Sequence, residues 1–312
     1  MPGTHGKSAR GADLPLIETD QPPGSEATRY DDTLPRDPES AGLARQMVTK
    51  AMAAWDLADL SADARLVMSE LVTNTLDHAQ GSCIRVHVTR IQDYGVRIAV
   101  DDRDHTRPEP RRTDWTQERG RGLYLVDAMS AVWGVDPMPW GKRVWAELHN
   151  ETRKRQHAVA SWLLSAARDK RRAVKEWDTD GMALLQCGTL FCAIRLPVPL
   201  VEAASPRTDP ATVDAFLAEA LYGAPVIRCN TGQWFYALVS PSAAERWTAP
   251  YTECLGPGYD IGVPRPDLTE HPGRTASYWA VPMSGPGALG SAAAVSQLTA
   301  YARFRQAQEE AS

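Results

Sequence analysis

Glu70 and Asn74 stand four apart in the run Ser69-Glu70-Leu71-Val72-Thr73-Asn74-Thr75-Leu76-Asp77-His78-Ala79. On a helix they share one face. A carboxylate beside an amide oxygen suits Mg²⁺ bound to phosphates, because that ion keeps several waters and takes few protein ligands. Glu70 also has the chemistry to accept a proton from an attacking hydroxyl or water. A solvent-facing polar stripe would show the same spacing. A second patch, Val100-Asp101-Asp102, closes an alternating run. A partly buried carboxylate there would accept a hydrogen bond from an adenine amino group, since leaving it unpaired is costly. The plainer reading is a strand-ending Asp turn. The third patch is Gly120-Arg121-Gly122-Leu123. Glycines at a helix start let backbone N–H groups approach phosphate oxygens, and the helix N-terminus favours anions. Arg121 would add a charge-assisted contact. Any tight loop also uses two close glycines.

The elements that must position these patches follow from periodicity. Leu43, Met47, Val48, Ala51 and Trp55 recur at helical spacing, predicting a helix over 38–55 capped by Asp37, with Pro38 in its first turn. Ser61 opens a second helix over 62–78, with Leu66, Val67, Leu71 and Val72 apolar. Ile84, Val86 and Val88, then Val96, Ile98 and Val100, alternate with polar residues about the turn 92–95, which predicts a hairpin. Residues 107–119 read as a loop, 122–129 as a helix, and 132–135 and 143–148 as two strands. This order predicts an α+β sandwich with helices on one face of a mixed sheet.

Together the three patches resemble the ATPase superfamily of gyrase, histidine kinases and mismatch-repair ATPases. Ser69 to Asn74, Gly120-Arg121-Gly122-Leu123-Tyr124-Leu125-Val126 and Trp140-Gly141-Lys142-Arg143-Val144-Trp145-Ala146-Glu147-Leu148 look most like the anti-sigma-factor serine kinases of high-GC bacteria. The resemblance covers about a third of the chain. It implies a histidine kinase-like ATP-binding domain over 37–149 in which Asn74 holds Mg²⁺ and Glu70 is the base. Asp102 would read adenine, and Gly120, Arg121, Gly122 and Leu123 would hold phosphates in a mobile lid. Asp77 and His78 continue the first motif toward the pocket; His78 reads equally as a packed helix-end histidine. Lys142 reads as structural or peripheral. The sequence departs from the pattern twice. Asp104 stands where a glycine usually follows the adenine-binding Asp, and Arg143 stands where Thr or Ser is frequent. The run Asp101-Asp102-Arg103-Asp104 also offers neighbouring carboxylates for one place.

Beyond this domain the signals are bland. Residues 1–36 read as a disordered leader without the apolar block of a signal peptide. Residues 150–180 read as one basic connector helix, its charges solvated. Residues 181–312 read as an α+β domain of unassigned function, with strands at 190–196, 226–229, 234–239 and 278–281, a helix over 209–221 and a last one over 288–306. Its aromatics fit a core better than a platform for bases. Arg265 and Asp267 beside the Gly/Pro loop 255–266 fit a structural loop, and His157 an exposed surface position.

The net charge of −5 over 312 residues argues against coating nucleic acid by bulk charge, so no direct nucleic-acid contact is expected. No run of about 18 apolar residues suggests a membrane span. Five cysteines, odd in number and none in a Cys-x-x-Cys pair, suit free thiols in a reducing cytoplasm. Two functions stay open. One is an ATP-dependent kinase phosphorylating serine or threonine on a protein antagonist in partner switching. The other is a non-catalytic nucleotide-binding regulator that sequesters a sigma factor or other protein. Relatives of this kind often pair, so a homodimer is an expected arrangement.

Overall fold

In the first half of the chain, strands with one apolar and one polar face build an antiparallel sheet that helices cover on one side. The computed structural model describes residues 27–78, 81–106, 122–229, 231–270 and 276–310. The elements run β1 (Arg29–Pro35), α1 (Ser40–Ala54), α2 (Ser61–His78), β2 (Cys83–Ile91), β3 (Gly95–Asp102), α3 (Gly122–Met129), β4 (Val132–Met138) and β5 (Gly141–His149). The strand order is β1-β2-β3-β5-β4, and every pairing is antiparallel. The sheet is therefore antiparallel where a mixed one was expected. Val86, Val88, Val96, Ile98, Val100, Val144, Ala146 and Leu148 form one core with Val48 and Met52 of α1 and with Met68 and Leu71 of α2. The intervening residues point to the other face, as the two-residue period of a strand requires.

Two expectations change here. Residues 29–35, placed in a disordered leader, form β1 and pair with β2 from Arg29↔Thr89 to Pro35↔Cys83. Leu34 is buried, and Tyr30 packs against Trp55 with ring centroids 5.4 Å apart. Two apolar positions among acidic residues were too short an alternation to read. The first helix also starts at Ser40 rather than Pro38. The Asp37 side chain does not cap the helix: its carboxylate accepts from the Glu39 N–H at 2.8 Å, and only its backbone carbonyl accepts from the Ser40 N–H, at 3.0 Å.

The second half contains α4 (Glu151–Leu163), α5 (Lys170–Asp180), β6 (Met182–Gln186), β7 (Cys192–Pro197), α6 (Val198–Ala204), α7 (Pro210–Ala220), β8 (Val226–Arg228), β9 (Trp234–Val239), β10 (Glu253–Leu255), β11 (Asp260–Pro264), β12 (Tyr278–Val281) and α8 (Ala292–Glu310). A second antiparallel sheet has the order β10-β7-β9-β8-β12, and β11 pairs with β6. Its two faces feed two cores. Ile194, Leu196, Phe235 and Ala237 pack with Val201, Val213, Leu217 and Val295 of α6, α7 and α8. Ala193, Ile227, Leu238 and Trp279 pack with Val159, Leu163, Ala173 and Trp177 of α4 and α5. Burial pushes the Cys187 and Cys254 thiols up to about 12, so they behave as apolar side chains rather than nucleophiles.

The single connector helix expected over 150–180 is two helices. Asp169 ends the first register by capping the second: its carboxylate accepts from the N–H groups of Arg171 and Arg172 at 2.9 and 3.1 Å. Gly181, at φ +68°, terminates α5. The basic residues stay outward, while Val159, Leu163 and Trp177 are core. Trp177 is 4% exposed, and its indole N–H donates to the Val263 carbonyl at 2.9 Å. Trp177→Ala should therefore cost about 3–5 kcal/mol in chemical denaturation, the range for emptying a large aromatic site; a change below about 1 kcal/mol would show that α5 is not part of this core.

Candidate functional site

The decisive local feature is how α3 meets α2. A Cβ built on Gly122 would lie 2.7 Å from Glu70 Oε2 and 3.1 Å from the Asn74 amide atoms. Only glycine fits there without displacing one of the two side chains. Glu70 and Asn74 thus share one face of α2, as their spacing predicts, and the first residue of α3 is pressed against both. Burial pushes the Glu70 carboxyl above its ordinary value of 4.5. Asn74 Nδ2 is buried with no hydrogen-bond partner among the described residues. Such an orphan is costly in a finished core, and turning the amide would present Oδ1 at the same place.

The sheet supplies the third side, since α2 packs against β3 and β5. The β3–β5 register settles which aspartate faces it. Asp102 pairs across the strands with Lys142 on the helix side, and Asp101 with Arg143 on the opposite side. Both side chains of the first pair are buried, 4% and 7% exposed, with Lys142 Nζ 2.8 Å from Asp102 Oδ2. Lys142 also donates to the Asp104 carbonyl at 2.8 Å, and the Asp104 N–H donates to Asp102 Oδ1 at 2.8 Å. The Asp104 carboxylate accepts from Thr106 through Oδ1 while its Oδ2 lies 3.5 Å from Lys142 Nζ, and the Thr106 hydrogen bonds, helped by the lysine, hold it below the ordinary carboxylate value. Gly141, at φ +154°, lets β5 start tightly against this turn; a Cβ there would lie 2.0 Å from the Asp102 carbonyl oxygen.

The remaining expected site residues divide as follows. Leu123 is half-buried against the first core. Asp77 is exposed on the last turn of α2. His78 ends that helix, its side chain outside the described residues, and Gly120, Arg121 and the loop 107–119 also lie outside them. Lys142, read as structural or peripheral, stands at the centre of the polar end of the sheet. The available signal was its parity: Lys142, Val144, Ala146 and Leu148 alternate, placing a lysine on the buried face. Arg265 and Asp267 pair with each other at 2.6 Å as a turn clamp. His157 is half-buried rather than exposed, 3.1 Å from Asp93 and beside the Tyr94 ring.

The helix-free face of the first sheet has a different character. A concavity of about 470 Å³ there is lined in part by Arg29, His87, Arg97, Asp136 and Arg143. Most of these charges are already paired. His87, 4% exposed, lies between Asp31 and Asp101, and Arg143 Nη2 donates to Asp101 Oδ2 at 3.0 Å. Arg97 reaches Glu147 and lies over the Trp145 ring at 4.3 Å. This network braces the sheet rather than awaiting a ligand.

Comparison with known proteins accords with this geometry. The model of the histidine kinase-like ATPase domain matches residues 34–147. The uncharacterized protein SCO4941 of Streptomyces coelicolor is 38% identical over 72 residues, 22% of this chain and 69% of that protein. The chain belongs to the histidine kinase-like ATPase family. The ATPase match spans the first sheet from the end of β1 through Glu147 of β5. The solved RsbU and RsbW domains of Rv1364c from Mycobacterium tuberculosis are 19% identical, with a TM-score of 0.29, over 39% of this chain and 32% of that one. The chain thus spans about a third of that solved chain. Among the described residues no helix is long and apolar enough to cross a membrane.

Two outcomes follow from the ATPase geometry. Gly122→Ala should remove nucleotide binding by tenfold or more in calorimetry while the melting temperature holds or rises. Alanine is the better helix former by about 1 kcal/mol, so only the clash with Glu70 and Asn74 gives the opposite sign. Unchanged affinity would sink the convergence of α2 and α3. The second outcome concerns acid. Burial pushes Asp101 up, but hydrogen bonds from His87 and Arg143 outweigh it and hold its carboxyl below the ordinary value of 3.8. A depressed folded-state value stabilises above 3.8, and that contribution is lost as pH falls below it. Asp101→Asn should cost roughly 2–3 kcal/mol at pH 7, the low end for a broken buried pair because the Arg143 side chain is 26% exposed. It should also flatten the acid limb of stability, read from urea melts between pH 7 and 3.

Proposed function

We propose that the domain binds Mg-ATP between α2, α3 and the ends of β3 and β5, and transfers the γ-phosphoryl group to a serine or threonine hydroxyl of a protein partner. The observation that carries this is the packing of Gly122 against both Glu70 and Asn74. It brings the expected base, the expected metal-holding amide and the helix start expected to hold phosphates to one place.

Each residue has a role in this reading. Asn74 would hold Mg²⁺ through its amide oxygen; with the amide turned so that Oδ1 takes the place of the unpartnered Nδ2, against Gly122, the side chain fits that ion. The ion would supply charge neutralisation at the phosphates. Glu70 accepts the proton of the attacking hydroxyl, whose oxygen bonds to the γ-phosphorus as the bond to the leaving ADP breaks. Its half-buried setting, which raises its proton affinity, suits that task. Asp102 accepts from the adenine amino group. Gly122 and Leu123 at the start of α3 would hold the phosphates together with Gly120 and Arg121, which precede them in the sequence, and Asp77 and His78 continue α2 beyond Asn74.

Of the two departures from the family pattern, one leaves the site untouched. Arg143 lies on the opposite sheet face, tied to Asp101. At the other, Asp104 supplies the backbone N–H that fixes Asp102 and sends its carboxylate to Thr106. The partner class follows from the resemblance of Ser69 to Asn74, Gly120 to Val126 and Trp140 to Leu148 to anti-sigma-factor kinases: a sigma factor or its antagonist, in the cytoplasm. On this reading residues 29–149 are the catalytic unit, and 151–310 form a second unit of its own.

The test is transfer of labelled γ-phosphate from Mg-ATP to candidate antagonist proteins by the full chain. Glu70→Ala should slow transfer roughly 100-fold or more while ATP affinity stays within a few-fold. Because burial raises the Glu70 value, the rate of the native protein should fall on acidification at a pH above 4.5. Normal transfer by Glu70→Ala would remove the base. Tight ATP binding without any transfer would instead favour a regulator that acts by sequestration.

A further inference from the structure

The polar end of the β3–β5 ladder contains an anomaly that the proposed chemistry does not use. On the face covered by helices, the rows Val96↔Leu148, Ile98↔Ala146 and Val100↔Val144 are apolar, and the next row is Asp102↔Lys142. Burying both charges costs more than an apolar pair of similar volume, so packing alone does not explain this row. Its hydrogen-bond inventory is incomplete. An ammonium has three donors. Two of them are used at 2.8 Å, on Asp102 Oδ2 and the Asp104 carbonyl, and the third has among the described residues only a long contact, to Asp104 Oδ2 at 3.5 Å. The Asp102 carboxylate, with about four acceptor sites, meets Lys142 and the Asp104 N–H. One donor held only by that long contact and at least one open acceptor site thus stand side by side at the end of the sheet beside α2.

That order of groups has a specific complement. The pairing edge of adenine presents an amino donor next to the acceptor nitrogen N1. A 6-oxopurine presents an acceptor next to an N1–H donor, the reverse. With the phosphate end held at Glu70, Asn74 and Gly122, the order counts, because the base cannot turn end for end.

We propose that Lys142 is a specificity-determining residue of the nucleotide site: its ammonium donates to N1 of the base while Asp102 accepts from the 6-amino group, so the pair selects a 6-aminopurine over a 6-oxopurine. The inference rests on the nucleotide-binding reading above. It extends that reading by giving a buried lysine, read from the sequence only as structural or peripheral, the second half of base recognition. The ion pair also keeps Asp102 fixed as an acceptor, and the close approach of Gly141 to the Asp102 carbonyl holds the two strands at the needed spacing.

The experiment is calorimetry of the full chain with Mg²⁺ and three nucleotides: ATP, 1-deaza-ATP, which lacks the N1 acceptor, and inosine triphosphate, which carries the 6-oxo edge. The native protein should bind 1-deaza-ATP roughly tenfold more weakly than ATP, the effect of one hydrogen bond to a charged donor, and inosine triphosphate more weakly still. Lys142→Met should bind ATP and 1-deaza-ATP equally. A lysine that only supports the fold would weaken both nucleotides alike and leave their ratio intact, which would overturn the proposal. So would equal binding of ATP and 1-deaza-ATP by the native protein, a comparison that decides the matter even if the variant does not fold. Absence of any ATP binding by the native protein would remove the nucleotide reading itself, a different result from binding without discrimination.

Discussion

Because a Cβ at residue 122 would lie 2.7 Å from a Glu70 carboxylate oxygen, any residue but glycine at the start of α3 would push the Glu70 or Asn74 side chain aside. The rest of the ATPase half can be read from that constraint. α2 must present Glu70 and Asn74 on one face, which requires its other face to be held by the sheet, and Met68, Leu71 and Val72 do this against the valines of β2 and β3. The backbone of α3 must arrive at the height of those polar groups. Val126 anchors it in the same core one turn later. A half-buried carboxylate whose proton affinity is raised by burial and a buried amide nitrogen without a partner among the described residues carry an energetic cost in the free protein. Functional sites are where folds tolerate such costs.

The strand period then separates two kinds of acidic residue that are adjacent in sequence. Asp101 and Asp102 differ by one residue and therefore face opposite sides of the sheet. On one side Asp101 joins His87, Asp31 and Arg143 in a closed network whose members neutralise one another. On the other, Asp102 meets a single lysine and a backbone N–H. Burial raises the cost of charge on both faces, yet the first is satisfied within the protein and the second is only partly so. This asymmetry, rather than charge alone, distinguishes a brace from a site.

How much of this was legible in the sequence depends on pattern length. The α2 helix, the β2–β3 hairpin and the start of α3 were readable, because long apolar periods and a Gly-x-Gly start agree with one another there. The choice between Asp101 and Asp102 was not, since only the cross-strand register with Lys142 and Arg143 decides it. β1 escaped because two apolar residues among aspartates make no statistical period. β11 escaped because Gly262 and Pro264 read as loop, although Ile261 and Val263 alternate correctly into the core. The break between α4 and α5 lay in Asp169, whose capping role appears only once the helix registers on either side differ. In each case the missing information was tertiary: a partner strand or a neighbouring core that fixes what a short segment cannot specify alone.

The same strand that ends the site also begins the second half of the molecule. Gly141 and Lys142 open β5 at Asp102, and His149 closes it seven residues after Lys142. Asn150 then does three things at once. Its N–H donates to the Tyr94 carbonyl at the β2–β3 turn, its side chain accepts from the Arg153 N–H as the cap of α4, and its amide reaches Asp59. His157 and Arg153 add contacts to Asp93 and Asp56. A capped helix starting one residue after a strand leaves no slack for a flexible linker. Any displacement of β5 along its own axis must therefore be borne either by these polar contacts, most of them exposed and individually weak, or by the core that Val159 and Leu163 share with Trp177. The α4 junction is thus fixed by a short connection and several individually weak polar contacts between two separately packed cores.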